Sequence, residues 1–137
     1  MTTIPKRSRV AIIGGGPAGS LLAHLLHLEG IDSVILELRS RAHVLGRVRA
    51  GVIEQGSAEI LKQAGLGHRM EAEGFVHDGV QITFAGEMLR VDFKGLTGRH
   101  VIVYGQTELQ KDLYDGIDAA GIPLIDQIED IRVDHVE

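Results

Sequence analysis

No cysteine occurs among the 137 residues, which removes a disulfide framework, a thiolate metal site and a cysteine nucleophile together. A basic excess is also missing. The formal net charge is −5, whereas a general nucleic-acid binder needs a basic face. Nor is there a long hydrophobic run. Lys6, Arg7 and Arg9 precede the apolar stretch Val10–Ile13, but Gly14, Gly15, Gly16 and Pro17 cut that stretch short. It is too brief for an export core or a membrane span. Internal repeats and low-complexity segments are absent, as are the G-x-S-x-G nucleophile elbow and the G-x-x-x-x-G-K-S/T phosphate loop. His24 and His27 stand at i and i+3 without a third ligand nearby, so they read as the wet face of a helix rather than a metal site. These exclusions leave a chain of one-domain length, expected in the cytoplasm, with neither nucleic acid nor membrane as a partner.

What is present is a sequence of alternating periods. Val10–Ile13 is a continuous apolar run, as expected of a strand buried on both faces. From Pro17 to Glu29 the period becomes helical: Leu21, Leu22, Leu25, Leu26 and Leu28 form the expected apolar face, with Ser20, His24 and His27 opposite. Gly30 supplies a helix stop, and Ser33–Leu36 reads as a second buried strand. The three elements make a βαβ unit with parallel strands and a right-handed crossover. Arg39–Ala50 shows no period and reads as a loop. Ile53–Ala64 is expected to be a helix, with a shorter one at His68–Glu73. Val80, Ile82 and Phe84, then Leu89, Val91 and Phe93, alternate on either side of an Ala85-Gly86-Glu87 turn, which predicts a hairpin with one wet face. Val101–Tyr104 returns to a buried strand. Thr107 and Gln110 fit a capping box for a helix reaching about Ala120, and Ile122–Ile125 and Ile128–Val136 read as terminal strands. The last of these runs to the C-terminus without a closing element, so the chain reads as an incomplete portion of a larger α/β fold.

Gly14, Gly16 and Gly19 are spaced G-x-G-x-x-G between the first predicted strand and its helix, the setting that a dinucleotide fingerprint requires. Gly14 permits the tight turn, Gly16 lets backbone approach a pyrophosphate, and Gly19 lets helix and strand pack closely. The helix start offers unpaired N–H groups and a positive dipole end to phosphate. Glu37 follows Gly16 by 21 residues at the end of the second strand, where such folds place a carboxylate for ribose hydroxyls. From these residues, FAD and NAD both remain open.

Arg39, Arg41, Arg47 and Arg49 fall within eleven residues of an otherwise acidic chain. A planar guanidinium can pair with phosphate oxygens, and a loop leaving the ribose-binding acid is well placed to bring one back. Arg49 is the candidate, while Arg41 reads as a solvated charge. Here the motifs "VLGRVRAGVIEQG" and "VYGQTE", taken with the glycine motif and "VILE", closely resemble the FAD-dependent aromatic hydroxylase family, and within it the enzymes acting on 4-hydroxybenzoate. The likeness runs from about Val10 to the C-terminus in the same order of motifs.

The resemblance implies a Rossmann-like FAD-binding domain over residues 1–137, the N-terminal part of a two-domain fold, with the 79–93 hairpin belonging to a substrate-side sheet. It implies that Gly14, Gly16, Ala18 and Gly19 surround the FAD pyrophosphate, and Ala18 stands where relatives often carry serine. Glu37 would hold the adenosine ribose. Arg47, Val48, Arg49, Ala50, Gly51 and Val52 would line the flavin, with Arg49 on the phosphates, and Gln106 would bond to the flavin side chain. The implied reaction is hydroxylation of 4-hydroxybenzoate, a small aromatic acid, to 3,4-dihydroxybenzoate with O₂ and NADPH or NADH. Leu38 and His43 stand where well-known NADPH users carry arginine and tyrosine, which leaves the reductant open. The family's substrate-gripping groups would lie beyond residue 137, so no catalytic residue is assigned and the 137-residue chain alone is expected to be inactive; the parent would be a homodimer. Two other readings stand beside this one: another FAD- or NAD-dependent oxidoreductase, and a truncated, non-catalytic dinucleotide-binding module.

Overall fold

The structure, a computed structural model, describes residues 7–134. β1 (Val10–Ile13), α1 (Pro17–Leu28) and β2 (Ser33–Leu36) open the chain, followed by α2 (Arg41–Gly46), β3 (Val52–Glu54), α3 (Gln55–Gln63) and α4 (His68–Glu73). Next come β4 (Phe75–His77), β5 (Gly79–Phe84), β6 (Glu87–Asp92) and α5 (Phe93–Thr97). β7 (Val101–Val103), α6 (Gln106–Ala120) and β8 (Leu124–Ile125) complete the order. No helix among the described residues is long and apolar enough to cross a membrane. The chain divides into two compact units, one made of residues up to Val48 and from Gln110 onward, the other of Arg49–Leu109.

The first unit is built on a parallel sheet in the order β1-β2-β8, as the βαβ pattern predicts. β2 is central, with Ile35 opposite Ile12 on one side and Leu124 on the other. Ile12, Ala23, Ile35, Tyr114, Ile117, Ile122 and Leu124 form its core. Ile35 and Ile117 are fully enclosed, and each such side chain contributes about 1.5–3 kcal/mol through burial. β1 departs from expectation. It is buried on one face only, and Ile13 is 64% exposed, because β1 is an edge of this sheet and turns Ile12, with the partly buried Val10 beside it, toward the core.

The facing of α1 also corrects the sequence reading. Ser20, Ala23 and His24 are its buried residues, while Leu22 and Leu28 are exposed. Small side chains at Ser20 and Ala23 let the helix axis approach the strands, and a leucine face would hold it away. His24, expected on the wet face, is 9% exposed, and its ring lies 6.4 Å from that of His27. Residues 39–50 contain α2 rather than loop alone. Ser40 Oγ accepts the His43 N–H at 3.2 Å, a cap for a helix too short to display a period. The terminal strand expected from Ile128 is not formed in the described residues. Gln127 adopts φ +59 and turns the chain, after which the Ile128 N–H bonds to the Glu37 carbonyl. Residues 135 and 136 of that expected strand lie outside the described residues.

In the second unit β7 is the middle strand, antiparallel to both β3 and β4. Ile53, expected in a helix, instead pairs with Ile102 at the centre of β3, and α3 begins only at Gln55. Ala58, Leu61 and Met70 are buried. β5 and β6 form the expected hairpin, with Phe84 opposite Glu87. Ala85 and Gly86 both have positive φ, the requirement of a tight type I′ turn. The hairpin was expected to have one wet face, yet Ile82, Phe84, Met88 and Leu89 are all exposed, so neither face is covered.

Candidate functional site

The glycine loop joins β1 to α1 in the first unit. Gly14 donates to the Leu36 carbonyl at 2.8 Å and has φ +109, a conformation that side chains rarely tolerate. Gly16 stands at the head of α1, and a Cβ built on it would meet nothing within 4 Å, so the space before the helix is open. Pro17 follows at the start of α1, where its missing N–H costs nothing. No side chain caps this helix end, which leaves its first-turn N–H groups available to an anion. Gly19 is where helix meets loop, because a Cβ there would overlap the Gly14 carbonyl oxygen. Ala18 is exposed in the first turn.

Glu37, half-buried at the end of β2, reaches this loop. Its Oε2 accepts the Gly15 N–H at 2.6 Å, and Oε1 accepts the Arg39 N–H at 2.8 Å. A carboxylate oxygen has more than one acceptor position, so each can take a further bond. The expected group of Gly14, Gly16, Gly19 and Glu37 is therefore brought together. An open glycine turn, an uncapped helix start and a carboxylate at the neighbouring strand end fit the pyrophosphate and ribose of a dinucleotide.

Sequence reasoning passed over the residues behind the loop. The Gly15 carbonyl accepts Ser20 Oγ at 3.0 Å, Gln110 Nε2 at 3.2 Å and Tyr114 OH at 3.0 Å. The sequence places Gln110 in a capping box with Thr107, but α6 already begins at Gln106, which puts Thr107 inside the first turn and frees Gln110 to face the loop. The helical period puts Ser20 on the solvent face with His24, whereas the structure buries both. Gly15 itself, between two fingerprint glycines, carried the only local signal.

Arg41 is not a solvated charge. Its Nη1 donates to Asp118 Oδ2 at 2.7 Å, its guanidinium lies 4.8 Å from the centre of the Tyr114 ring, and its backbone N–H bonds to Asp126 at 2.9 Å. The hydrogen bond from Arg41 holds the Asp118 carboxyl below its usual range.

Burial, followed by the nearby charge of Glu37, pushes the Tyr114 phenol up to about 12; Asp126 adds to this and Arg41 opposes it. Since the folded value lies above the ordinary tyrosine value of about 10, the neutral phenol contributes stability that is fully present below pH of about 10. That stability is lost as the pH rises toward about 12. Across this window the wild-type protein is expected to lose on the order of 2 kcal/mol more than Tyr114→Phe, measured by urea denaturation at several alkaline pH values. Parallel pH profiles would show that the phenol is not enclosed.

The other expected site residues divide between the units. Arg47 follows α2 and is exposed, as is Val48. In the second unit Arg49 and Ala50 are exposed, and Val52 opens β3 opposite Val103. The Gly51 carbonyl accepts the Tyr104 N–H at 2.9 Å. A Cβ at Gly51 would overlap the Tyr104 carbonyl oxygen and lie 2.7 Å from Gly105 Cα, so the approach of these two backbones requires glycine. Gln106, next after Gly105, opens α6 and is half-buried. Among the described residues no cluster of His, Asp or Glu could hold a metal ion.

Loop, helix start and strand-end acid define a dinucleotide-binding α/β protein, and the comparisons specify which. Residues 7–133 match the FAD binding domain family, and the chain belongs to it. Over 128 residues, 93% of this chain, it is 44% identical to p-hydroxybenzoate hydroxylase of Acinetobacter baylyi. The chain spans 32% of that relative's length. Among solved structures, the fold is shared with pqsL, a probable FAD-dependent monooxygenase from Pseudomonas aeruginosa, with a TM-score of 0.77 at 21% identity, covering 93% of this chain and 35% of the other. The p-nitrophenol 4-monooxygenase PnpA of Pseudomonas putida gives a TM-score of 0.73 at 21% identity, covering 86% and 31%.

Proposed function

We propose that the protein supplies the FAD-binding portion of a monooxygenase that hydroxylates 4-hydroxybenzoate to 3,4-dihydroxybenzoate. One atom of O₂ enters the ring and the other leaves as water, with NADPH or NADH oxidised in the process. The observation that carries this reading is the glycine loop pinned to Glu37 in a chain so similar to p-hydroxybenzoate hydroxylase. The enzyme would act in the cytoplasm as a homodimer.

In this reading Gly14, Gly16, Ala18, Gly19 and the start of α1 hold the pyrophosphate, and Glu37 accepts the ribose hydroxyls. Arg47, Val48, Arg49, Ala50, Gly51 and Val52 line the flavin, Arg49 pairs with phosphate, and Gln106 bonds to the flavin side chain. Bound FAD supplies the redox chemistry and the activation of O₂; the protein orients it and keeps water away. The open faces of the 79–93 hairpin fit membership of a larger substrate-side sheet.

The test supplies FAD, 4-hydroxybenzoate and either reduced nicotinamide, and follows the dihydroxy product by chromatography. Product is expected from a parent chain as long as its relatives and not from the 137-residue chain alone. A full-length parent that consumes reductant on another aromatic acid but not on this one would overturn the substrate assignment. Arg49→Lys keeps the charge and loses the planar fork, so it is expected to weaken FAD by about 1.5 kcal/mol in a fluorescence titration. Arg39→Lys, at an exposed position in the same basic segment, is the control. Equal effects of the two would reduce the segment to a charged surface.

A further inference from the structure

We infer that Gln110 and Tyr114 of α6, together with Ser20, are positioning residues that aim the Gly16 N–H at the pyrophosphate of the cofactor. The inference rests on the FAD reading above and adds to it three side chains that the glycine fingerprint does not contain.

The Gly15 carbonyl draws a surplus of donors. One donor satisfies a buried carbonyl, and two fill its lone pairs. The Gly15 carbonyl has three: Ser20 Oγ, Gln110 Nε2 and Tyr114 OH. All three side chains are buried. The orientation of the Gln110 amide follows from the same geometry, since an oxygen in place of Nε2 would face the carbonyl oxygen. Its Oε1 finds no partner among the described residues, so the amide is committed to the loop at the cost of its own acceptor.

The surplus answers a particular weakness. Gly15 and Gly16 are consecutive glycines, so the peptide plane between them can turn over without a Cβ in the way. The plane is trans, which makes its C=O and N–H point in opposite directions. With the carbonyl held inward by three donors, the Gly16 N–H points away from them, and it finds no acceptor among the described residues. A flipped plane would turn that N–H inward and present an oxygen to the phosphates. On the other side, Glu37 holds the preceding plane through the Gly15 N–H at 2.6 Å. Both planes around Gly15 are thereby fixed. Tyr114 is held in turn under the Arg41 guanidinium, which is paired with Asp118 one turn further along α6.

The experiment compares Gln110→Leu, Tyr114→Phe and the double variant with wild type, all in the full-length protein, using FAD, ADP and adenosine as separate ligands in calorimetric titrations. FAD and ADP carry the diphosphate; adenosine reports only the ribose and base end. The double variant is expected to weaken FAD and ADP about tenfold while leaving adenosine unchanged, and Tyr114→Phe alone to weaken the two diphosphates about threefold. Equal weakening of all three ligands would show that the side chains merely support the fold and would overturn the inference, as would unchanged affinities. Should the double variant fail to fold, the ADP-to-adenosine ratio in Tyr114→Phe decides the matter by the same criterion. Wild-type protein that binds neither FAD nor ADP would refute the cofactor reading itself, a distinct result.

Discussion

Gly19→Ala is expected to lose about 2–3 kcal/mol of stability and on the order of a hundredfold in FAD affinity. The added methyl has nowhere to go. It would overlap the Gly14 carbonyl oxygen and sit 3.1 Å from Ile12 Cγ2. Ile12 belongs to the core of the first unit, and Gly14 is tied to β2 through the Leu36 carbonyl. Neither neighbour is a flexible side-chain end, so relief requires α1 to move off the loop. That movement displaces the N–H groups proposed to face the phosphates, so affinity falls together with stability and by a similar amount. Urea denaturation and FAD titration on one preparation measure both losses. Wild-type values in both would mean that α1 does not approach β1 as closely as described.

Glu37→Ala is expected to weaken FAD by about 1.5–3 kcal/mol, or roughly ten- to a hundredfold. Two losses combine: the charged acceptor proposed for ribose hydroxyls, and the acceptor that holds the Gly15 N–H. The fold should survive. The strand-end backbone bonds, from the Glu37 N–H to the Ile125 carbonyl and from the Ile128 N–H to the Glu37 carbonyl, do not involve the side chain. Glu37→Gln keeps one acceptor oxygen for the loop and should fall between alanine and wild type. An unchanged FAD affinity in Glu37→Ala would remove this residue from the site.

The front of the site was legible because its signals are local. Glycine spacing fixes where backbone can turn, and the interval to Glu37 is the length of one helix and one strand. The back of the site is not legible, since Gln110 and Tyr114 meet Gly15 from 95 and 99 residues away, Tyr114 stands in no motif, and the one motif that Gln110 fits, a capping box, points it elsewhere. Ser20 and His24 were assigned to the wrong face for another reason. Counting leucines predicts which side of a helix is greasy, but close helix–strand approach selects small side chains, and α1 follows the second rule. α2 and β3 were missed because elements of six and three residues are shorter than the window in which a period can be read. The hairpin was found through its turn chemistry, whereas its exposure depends on what packs against it, which alternation cannot show.

The long reach to the Gly15 carbonyl bears on the order of events during synthesis. β1, the glycine loop, α1 and β2 leave the ribosome early and can assemble from neighbouring segments alone. The loop's inner clamp must wait for α6. Closing a chain of nearly a hundred residues costs about 4 kcal/mol in entropy, met only when the packing of α6 onto the sheet is complete. Until then the loop has its shape but not its fixed polarity. If the clamp sets the loop's polarity as proposed, tight capture of the dinucleotide becomes a late event in biogenesis, withheld from nascent chains and granted to those whose distant segments have already found each other.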